Sequence, residues 1–306
     1  MCSLFYYPSQ LSLKSGLVFL EGGRCFRRIA SWGGRGRALA WAFAGVLLSF
    51  ACQPAQADTV AVLLALEADM KTLGAQATVL GEPSLVGTRK IQRLQLGPHR
   101  VHAAVMGSGC VETAVTAEAL LARYRCDWVF SMGPAGGLTD EAAVGEWFAV
   151  SECVVAGKTG GSGSAGTPFK LALAPTQWNL PAMMQSLTPL RLVAGETFIQ
   201  SNSAREGLAA SSQAQLVDMN THGLAVACLN HQVPLHVWRL VSDRADDQAS
   251  AAFQEFTKSY QGEGGTALAE VIRQLPASPK AAGSYQGIRE LIEPRTRGDG
   301  EGEVGR

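Results

Sequence analysis

A serine and an aspartate in tandem, Ser242-Asp243, close the segment PLHVWRLVSD. A carboxyl group serves as an acid near neutral pH only where burial or hydrogen bonding holds its proton in place. The segment is apolar and too short for a helix, and its Val and Trp favour a strand. Asp243 would then stand at a strand's carboxyl end, where open α/β sheets bind their ligands. A second set of acids has the same setting, because the apolar run TVAVLLAL leads into Glu67, Ala68 and Asp69. Ser-Asp ahead of the alanine-rich run that follows is also good helix-capping chemistry. Position alone leaves both readings of Asp243 open.

The surrounding chain supplies the elements that must hold these groups. From Gln215 an acidic turn, Val217-Asp218-Met219-Asn220, leads into a helix-like run of about ten residues through Leu224, Val226, Ala227 and Cys228, broken at Pro234. Upstream, TVAVLLAL reads as a strand buried on both faces, the mark of a parallel sheet. VGTRKIQRLQLGPHRVHAAVMGSG reads as two strands joined at Gly97-Pro98, and CVETAVTAEALLARYR as a helix. CDWVFSMG is a further buried strand. It closes in Gly133-Pro134-Ala135-Gly136-Gly137, and with Gly107-Ser108-Gly109 it gives two glycine-rich strand ends flanking one helix, where a ligand can approach the backbone closely. EWFAVSECVVAG is expected to be a strand pair, residues 157–167 a flexible loop, and RLVAGETFIQS a strand ending near Phe198. Helices AAFQEFTKSY and TALAEVIRQL finish the domain. Strands alternating with helices give an α/β fold with a central mixed, mainly parallel sheet.

Composition narrows the function. The 306 residues carry 26 Lys/Arg and 26 Asp/Glu, but six of the basic residues and only Glu21 among the acids fall before residue 58. The remainder holds 20 basic and 25 acidic residues, a net of −5, which argues against nucleic acid as a partner. The seven cysteines show neither metal spacing nor a disulfide framework and read as small apolar residues. Arg35 and Arg37 precede the apolar run ALAWAFAGVLLSFA, and Ala55-Gln56-Ala57 offers a cleavage site. Residues 1–57 are thus expected to export the protein, to the periplasm, with no membrane span after processing; without that processing it would be cytoplasmic. Residues 58–275 form the domain, and 276–306 read as a Pro-, Gly- and charge-rich disordered tail.

Six segments in one order, AVLLALEAD, GSGCV, SMGPAGGL, AGETFI, VDMN and WRLVSDRADD, resemble the nucleoside phosphorylase and nucleosidase superfamily. They are most similar to the bacterial 5′-methylthioadenosine/S-adenosylhomocysteine nucleosidases. The resemblance implies a three-layer phosphorylase/hydrolase-like fold and hydrolysis of the N-glycosidic bond of a purine nucleoside, without a metal or cofactor. It implies that Asp243 protonates N7 of the departing base, oriented by Ser242. Phe198 would stack on the base, the backbone of Ile199 would read the adenine edge, and Ala135 and Gly136 would line base and ribose. Met219 would pack under the sugar, Arg239 would lie near the attacking water, and Asp69 would take that water's proton. A homodimer is implied as well. The chemistry is coherent, because adenine leaves poorly as an anion and general acid catalysis is worth about 10²–10⁴ in rate.

Three positions depart from the family pattern. Asp69 stands where the family has a longer Glu, Asn220 where it has the second Glu of E-M-E, and Pro134 where it has the Ser of G-S-A-G-G. All three belong to the sugar and water side, while the base-reading residues are kept. Two alternatives follow: a purine-binding protein that does not cleave, and a phosphate-dependent phosphorylase. The second needs an arginine-lined phosphate site, and the early loop LEADMKTLGAQ has no Arg.

Overall fold

The computed structural model describes residues 58–86, 88–156, 168–174, 178–185 and 187–275. The expected export segment, the 157–167 loop and the 276–306 tail lie outside the described residues. In chain order the elements are β1 (Thr59–Leu64), α1 (Glu67–Ala75), β2 (Thr78–Val79), β3 (Ser84–Val86), β4 (Arg89–Leu96), β5 (His99–Val105), α2 (Cys110–Arg123), β6 (Trp128–Gly137), β7 (Trp147–Val155) and β8 (Phe169–Lys170). They continue with β9 (Pro189–Ala194), α3 (Asn202–Ser212), β10 (Leu216–Asp218), α4 (Thr221–His231), β11 (Leu235–Asp243), α5 (Ala249–Ser259) and α6 (Glu263–Arg273).

The alternation of β1 sets the layers. Ala61 and Leu63 face one core, shared with Leu120 of α2 and Leu224 of α4. Val60, Val62 and Leu64 face another, shared with Leu73 of α1 and Leu268 and Ile272 of α6. Helices therefore cover both faces of a mixed sheet, giving three layers. Its centre, β5–β1–β6–β11, is parallel. Antiparallel joins flank it, β4 on β5 at one side and β7 on β11 at the other. Beyond β7 run β9 and β10, each parallel to the strand before it.

The pairing that makes a site is the last one. β10 returns to the end of β6, with Leu216 and Val217 opposite Gly137 and Gly136. This closes β6, β11, β7, β9 and β10 into a ring. The carboxyl ends of β6, β9, β10 and β11 are thereby brought together.

Several local expectations are corrected. EWFAVSECVVAG is one strand, β7, because no turn residue interrupts it; a register shift against β9 between Val150 and Glu152 absorbs its irregularity. The early loop is helix α1, whose first turn carries Glu67 and Asp69, where acids favour the positive end of the helix dipole. Val217-Asp218 belongs to strand β10 and not to a turn. Helix α3 follows a Ser201 cap whose side chain accepts from Ala204 N–H at 3.3 Å, a signal present in the sequence.

Helices α2 and α4 cross closely at Gly223, where a Cβ would overlap the Cys110 carbonyl. Gly223→Ala is accordingly expected to cost about 1–3 kcal/mol despite alanine's better helix propensity, read by urea unfolding. A variant as stable as the parent would show that the two helices can separate freely.

Candidate active site

A cavity of about 390 Å³ opens where the strand ends converge. Pro134, Ala135 and Gly136 of β6, Val217 and Asp218 of β10, and Ser242 and Asp243 of β11 form its floor. Phe198 comes from the loop after β9, and Met219 and Asn220 from the connection into α4. Ser250, Phe253 and Gln254, on one face of α5, close another side. Gly136 is required here: a Cβ would lie 3.2 Å from Asp243 Oδ1 and 3.1 Å from Ala245 and Val217 side chains.

Asp243 is buried, and burial raises its pKa above the usual carboxylate value, against the opposing effect of hydrogen bonds from Ser242 and Ala245. Its Oδ1 accepts from Ala245 N–H at 2.9 Å. Its Oδ2 lies 2.8 Å from Ser242 Oγ, which is also 3.2 Å from the Ala135 carbonyl. A serine has one hydroxyl hydrogen, and a carbonyl can only accept. The single hydroxyl hydrogen of Ser242 is therefore shared between Asp243 Oδ2, the nearer acceptor, and the Ala135 carbonyl. The capping alternative fails, since α5 begins at Ala249 and the carboxyl of Asp246 accepts from Gln248 N–H there.

Asp218 is the other ionisable residue of the lining among the described residues, and it is fully committed. Its Oδ1 accepts from the N–H groups of Asn220 and Thr221, capping α4, and its Oδ2 accepts from Thr221 Oγ and from Arg239 Nε at 2.8 Å. Because Asp218 does the capping, the Asn220 side chain is released for other contacts. Its amide donates to the Gly107 carbonyl at 2.8 Å and to Thr113 Oγ at 2.6 Å. With both donors engaged, Oδ1 is the group Asn220 can offer to a ligand, as an acceptor.

Ala135, Gly136, Phe198, Met219, Asn220, Ser242 and Asp243 thus meet at one cavity, and Pro134 joins them. Three expected site residues do not line it. The Arg239 side chain is sealed beneath the floor, donating to Asp218, Ser131, Thr221 and the Trp238 carbonyl. Ile199 turns away into a separate apolar groove with Leu208 and Val226. Asp69 is fully buried, and its Oδ1 accepts from Tyr260 Oη at 2.6 Å and Gly265 N–H at 3.1 Å. Sitting in the first turn of α1, the shorter Asp is held by the α5–α6 connection instead of reaching the cavity. The expected proximity of Asp69 and Arg239 to a water in the site is therefore not what their side chains show. Sequence reasoning missed Asp218 as the anchor, and it missed the α5 wall, whose Ser250, Phe253 and Gln254 share the spacing of one helix face.

Residues 59–273 match the model of the phosphorylase superfamily. The chain belongs to that superfamily. Among its relatives, the 5′-methylthioadenosine/S-adenosylhomocysteine nucleosidase of Staphylococcus carnosus is 24% identical over 228 residues, covering 71% of this chain and 98% of the relative. Two solved structures share the superfamily fold with it. One is such a nucleosidase from Colwellia psychrerythraea in complex with adenine (TM-score 0.62, 20% identity, 73% of this chain and 98% of that one). The other is the futalosine hydrolase of Helicobacter pylori (TM-score 0.63, 18% identity, 71% and 98%).

Burial, followed by repulsion from Glu263, raises the pKa of Asp69 from 3.8 to about 6, although Tyr260 and Gly265 pull it down. In the unfolded chain Asp69 ionises at its ordinary pKa, so stability is highest below that value and falls as pH rises to about 6. Between about pH 4 and about pH 7 the wild type should lose about 3 kcal/mol relative to Asp69→Asn, which cannot ionise. Urea unfolding of both proteins at the two pH values reads this directly. A difference independent of pH would mean that Asp69 ionises normally in the folded chain.

Proposed function

We propose that the protein hydrolyses the N-glycosidic bond of a purine nucleoside, an adenine nucleoside such as 5′-methylthioadenosine or S-adenosylhomocysteine. The observation that carries this reading is the buried Ser242–Asp243 pair at the cavity floor, its carboxyl pKa raised by burial, with an aromatic ring, Phe198, in the same lining. The similarity to nucleosidases supports it.

The proton chemistry follows from the pair. As the C1′–N9 bond breaks, its electrons pass to the purine, and N7 takes the proton of Asp243. The Ser242 hydroxyl then stabilises one oxygen of the new carboxylate, and the Ala245 N–H steadies the other. A water adds to the oxocarbenium-like C1′ and gives up a proton to solvent, from which Asp243 takes one back, so the products are free base and a sugar with an anomeric hydroxyl. Asn220 Oδ1 is placed to accept from a ribose hydroxyl, and Met219 gives the sugar an apolar surface. With Asp218 committed, catalysis rests on the departing base more than on the water. The lining has no Arg or Lys among the described residues, which favours hydrolysis over phosphorolysis.

Asp243→Asn keeps shape and the Ala245 bond but removes the proton, so purine release should fall by about 10²–10⁴ with substrate affinity nearly unchanged. Release of adenine from a panel of adenosine derivatives, with and without phosphate, measures it; a variant as fast as the parent would sink the assignment. Phe198→Ala should weaken adenine binding by about 1–3 kcal/mol, measured calorimetrically, and equal affinity for adenosine and uridine would refute a purine pocket.

The placement of Asp69 and Arg239 outside the lining favours one second reading, a purine-binding protein without turnover. Adenine bound but never released from nucleosides would decide for it.

Two further features complete the proposal. The Arg-flanked apolar run before Asp58 supports export to the periplasm, with a mature chain starting near Asp58. Val111 and Val115, exposed on α2, adjoin the apolar groove of Ala114, Ile199, Leu208 and Val226, and this surface supports a homodimer. Among the described residues no helix is long and apolar enough to cross a membrane.

A further inference from the structure

Asp69, displaced from the water, is joined to the base-binding wall by a continuous line of rings. Its Oδ1 holds the hydroxyl of Tyr260, which in turn accepts from Gly264 N–H at 2.9 Å. Tyr260 is the residue that ends α5, its own N–H donating to the Phe256 carbonyl. Phe253, Phe256 and Tyr260 follow at helical spacing along one face. The Tyr260 and Phe256 rings are 5.0 Å apart at 25°, and Phe256 and Phe253 6.1 Å at 31°. Phe253 then meets Phe198 at 5.6 Å, and both of these line the cavity. The other end of α5 is held as well, because Asp247 just before it accepts from the backbone and side chain of Asn202 at the start of α3. Helix α5 is thus pinned at both ends, and its C-terminal pin is the Asp69–Tyr260 hydrogen bond.

We propose that Asp69 and Tyr260 are positioning residues of the purine pocket: their hydrogen bond fixes the end of α5 and, through the ring line, the placement of Phe253 and Phe198 against the bound base. This rests on the purine reading of the cavity. A water-activating base at position 69 acts on turnover; a positioning residue acts on binding. The ring contacts make the link stiff, since aromatic pairs at these separations prefer a narrow set of geometries.

The test compares Tyr260→Phe, Asp69→Asn and Phe256→Leu in the full chain. It reads the Kd for free adenine, KM and kcat for 5′-methylthioadenosine, and amide hydrogen exchange of the ligand-free protein. Tyr260→Phe keeps the ring and loses the hydroxyl. It should raise adenine Kd and KM about fivefold or more, leave kcat within about twofold, and speed exchange across 249–259. Asp69→Asn keeps one acceptor for Tyr260 but weakens the pin, so it should raise adenine Kd and KM by less than Tyr260→Phe does and leave kcat within about twofold. Phe256→Leu interrupts the rings without touching the hydrogen bond and should repeat the Tyr260→Phe loss of affinity. Unchanged adenine affinity in Tyr260→Phe or Phe256→Leu overturns the proposal. So does a large fall in kcat at unchanged KM in Asp69→Asn, which would return Asp69 to the water. A wild type that binds no adenine overturns the purine reading instead. Hydrogen exchange then judges the latch alone, and unchanged exchange in Tyr260→Phe overturns it.

Discussion

The cavity depends on one buried ion pair. Arg239 Nε and Asp218 Oδ2 are 2.8 Å apart, and both side chains are almost completely withdrawn from water. Through the same guanidinium β11 is tied to Ser131 of β6 and Thr221 of α4, and through the same carboxylate β10 is tied to the first turn of α4. Two charges taken from water are costly, and the cost is recovered only if every donor and lone pair finds its partner. Removing either partner would leave an uncompensated charge, worth about 3–5 kcal/mol. The pair sits where β10 returns to β6, at the closure that sets Val217 opposite Gly136, the same glycine that Asp243 faces across the β11–β6 pairing.

That arrangement divides the charges of the site. The cation lies below the floor with every lone pair of Asp218 engaged by hydrogen bonds, and Asp243 is the other acid of the lining among the described residues. A neutral acid in a buried place is suited to a leaving group that needs a proton. Where the family resemblance expects the sugar, the cavity carries weaker groups, an amide oxygen from Asn220 and the thioether of Met219. Position 69, an acid in the same stretch as the family's base, is turned to holding helix α5.

Much of this was legible in the sequence because burial and chemistry leave local marks. The two-faced apolar run at 59–66, the glycine-rich strand ends and the Ser242-Asp243 pair each occur within one short segment. The mixed, mainly parallel sheet followed from alternation of strands and helices, and the three layers from the family resemblance. What failed depends on side-chain direction and on partners distant in sequence. Asp69 is separated from Tyr260 by 191 residues, and nothing near it announces that hydroxyl. Arg239 alternates along β11 onto the face below the floor, beside Asp218, and the Ile199 side chain lines a separate groove, which leaves the expectation for its backbone untouched. The three-residue strand β10 was invisible, since its existence rests on pairing with β6 and β9.

The central claim is that Asp243 carries a proton to the departing base, and the pH dependence of purine release tests it most directly. A group with a raised pKa that must be protonated to act gives a rate that is highest on the acid side and falls as pH rises through that pKa. Such a descending limb is expected in kcat of the wild type, displaced upward from the ordinary carboxylate range, and it should disappear in Asp243→Asn. A rate that climbs with pH, or a descending limb that survives the substitution, would contradict it.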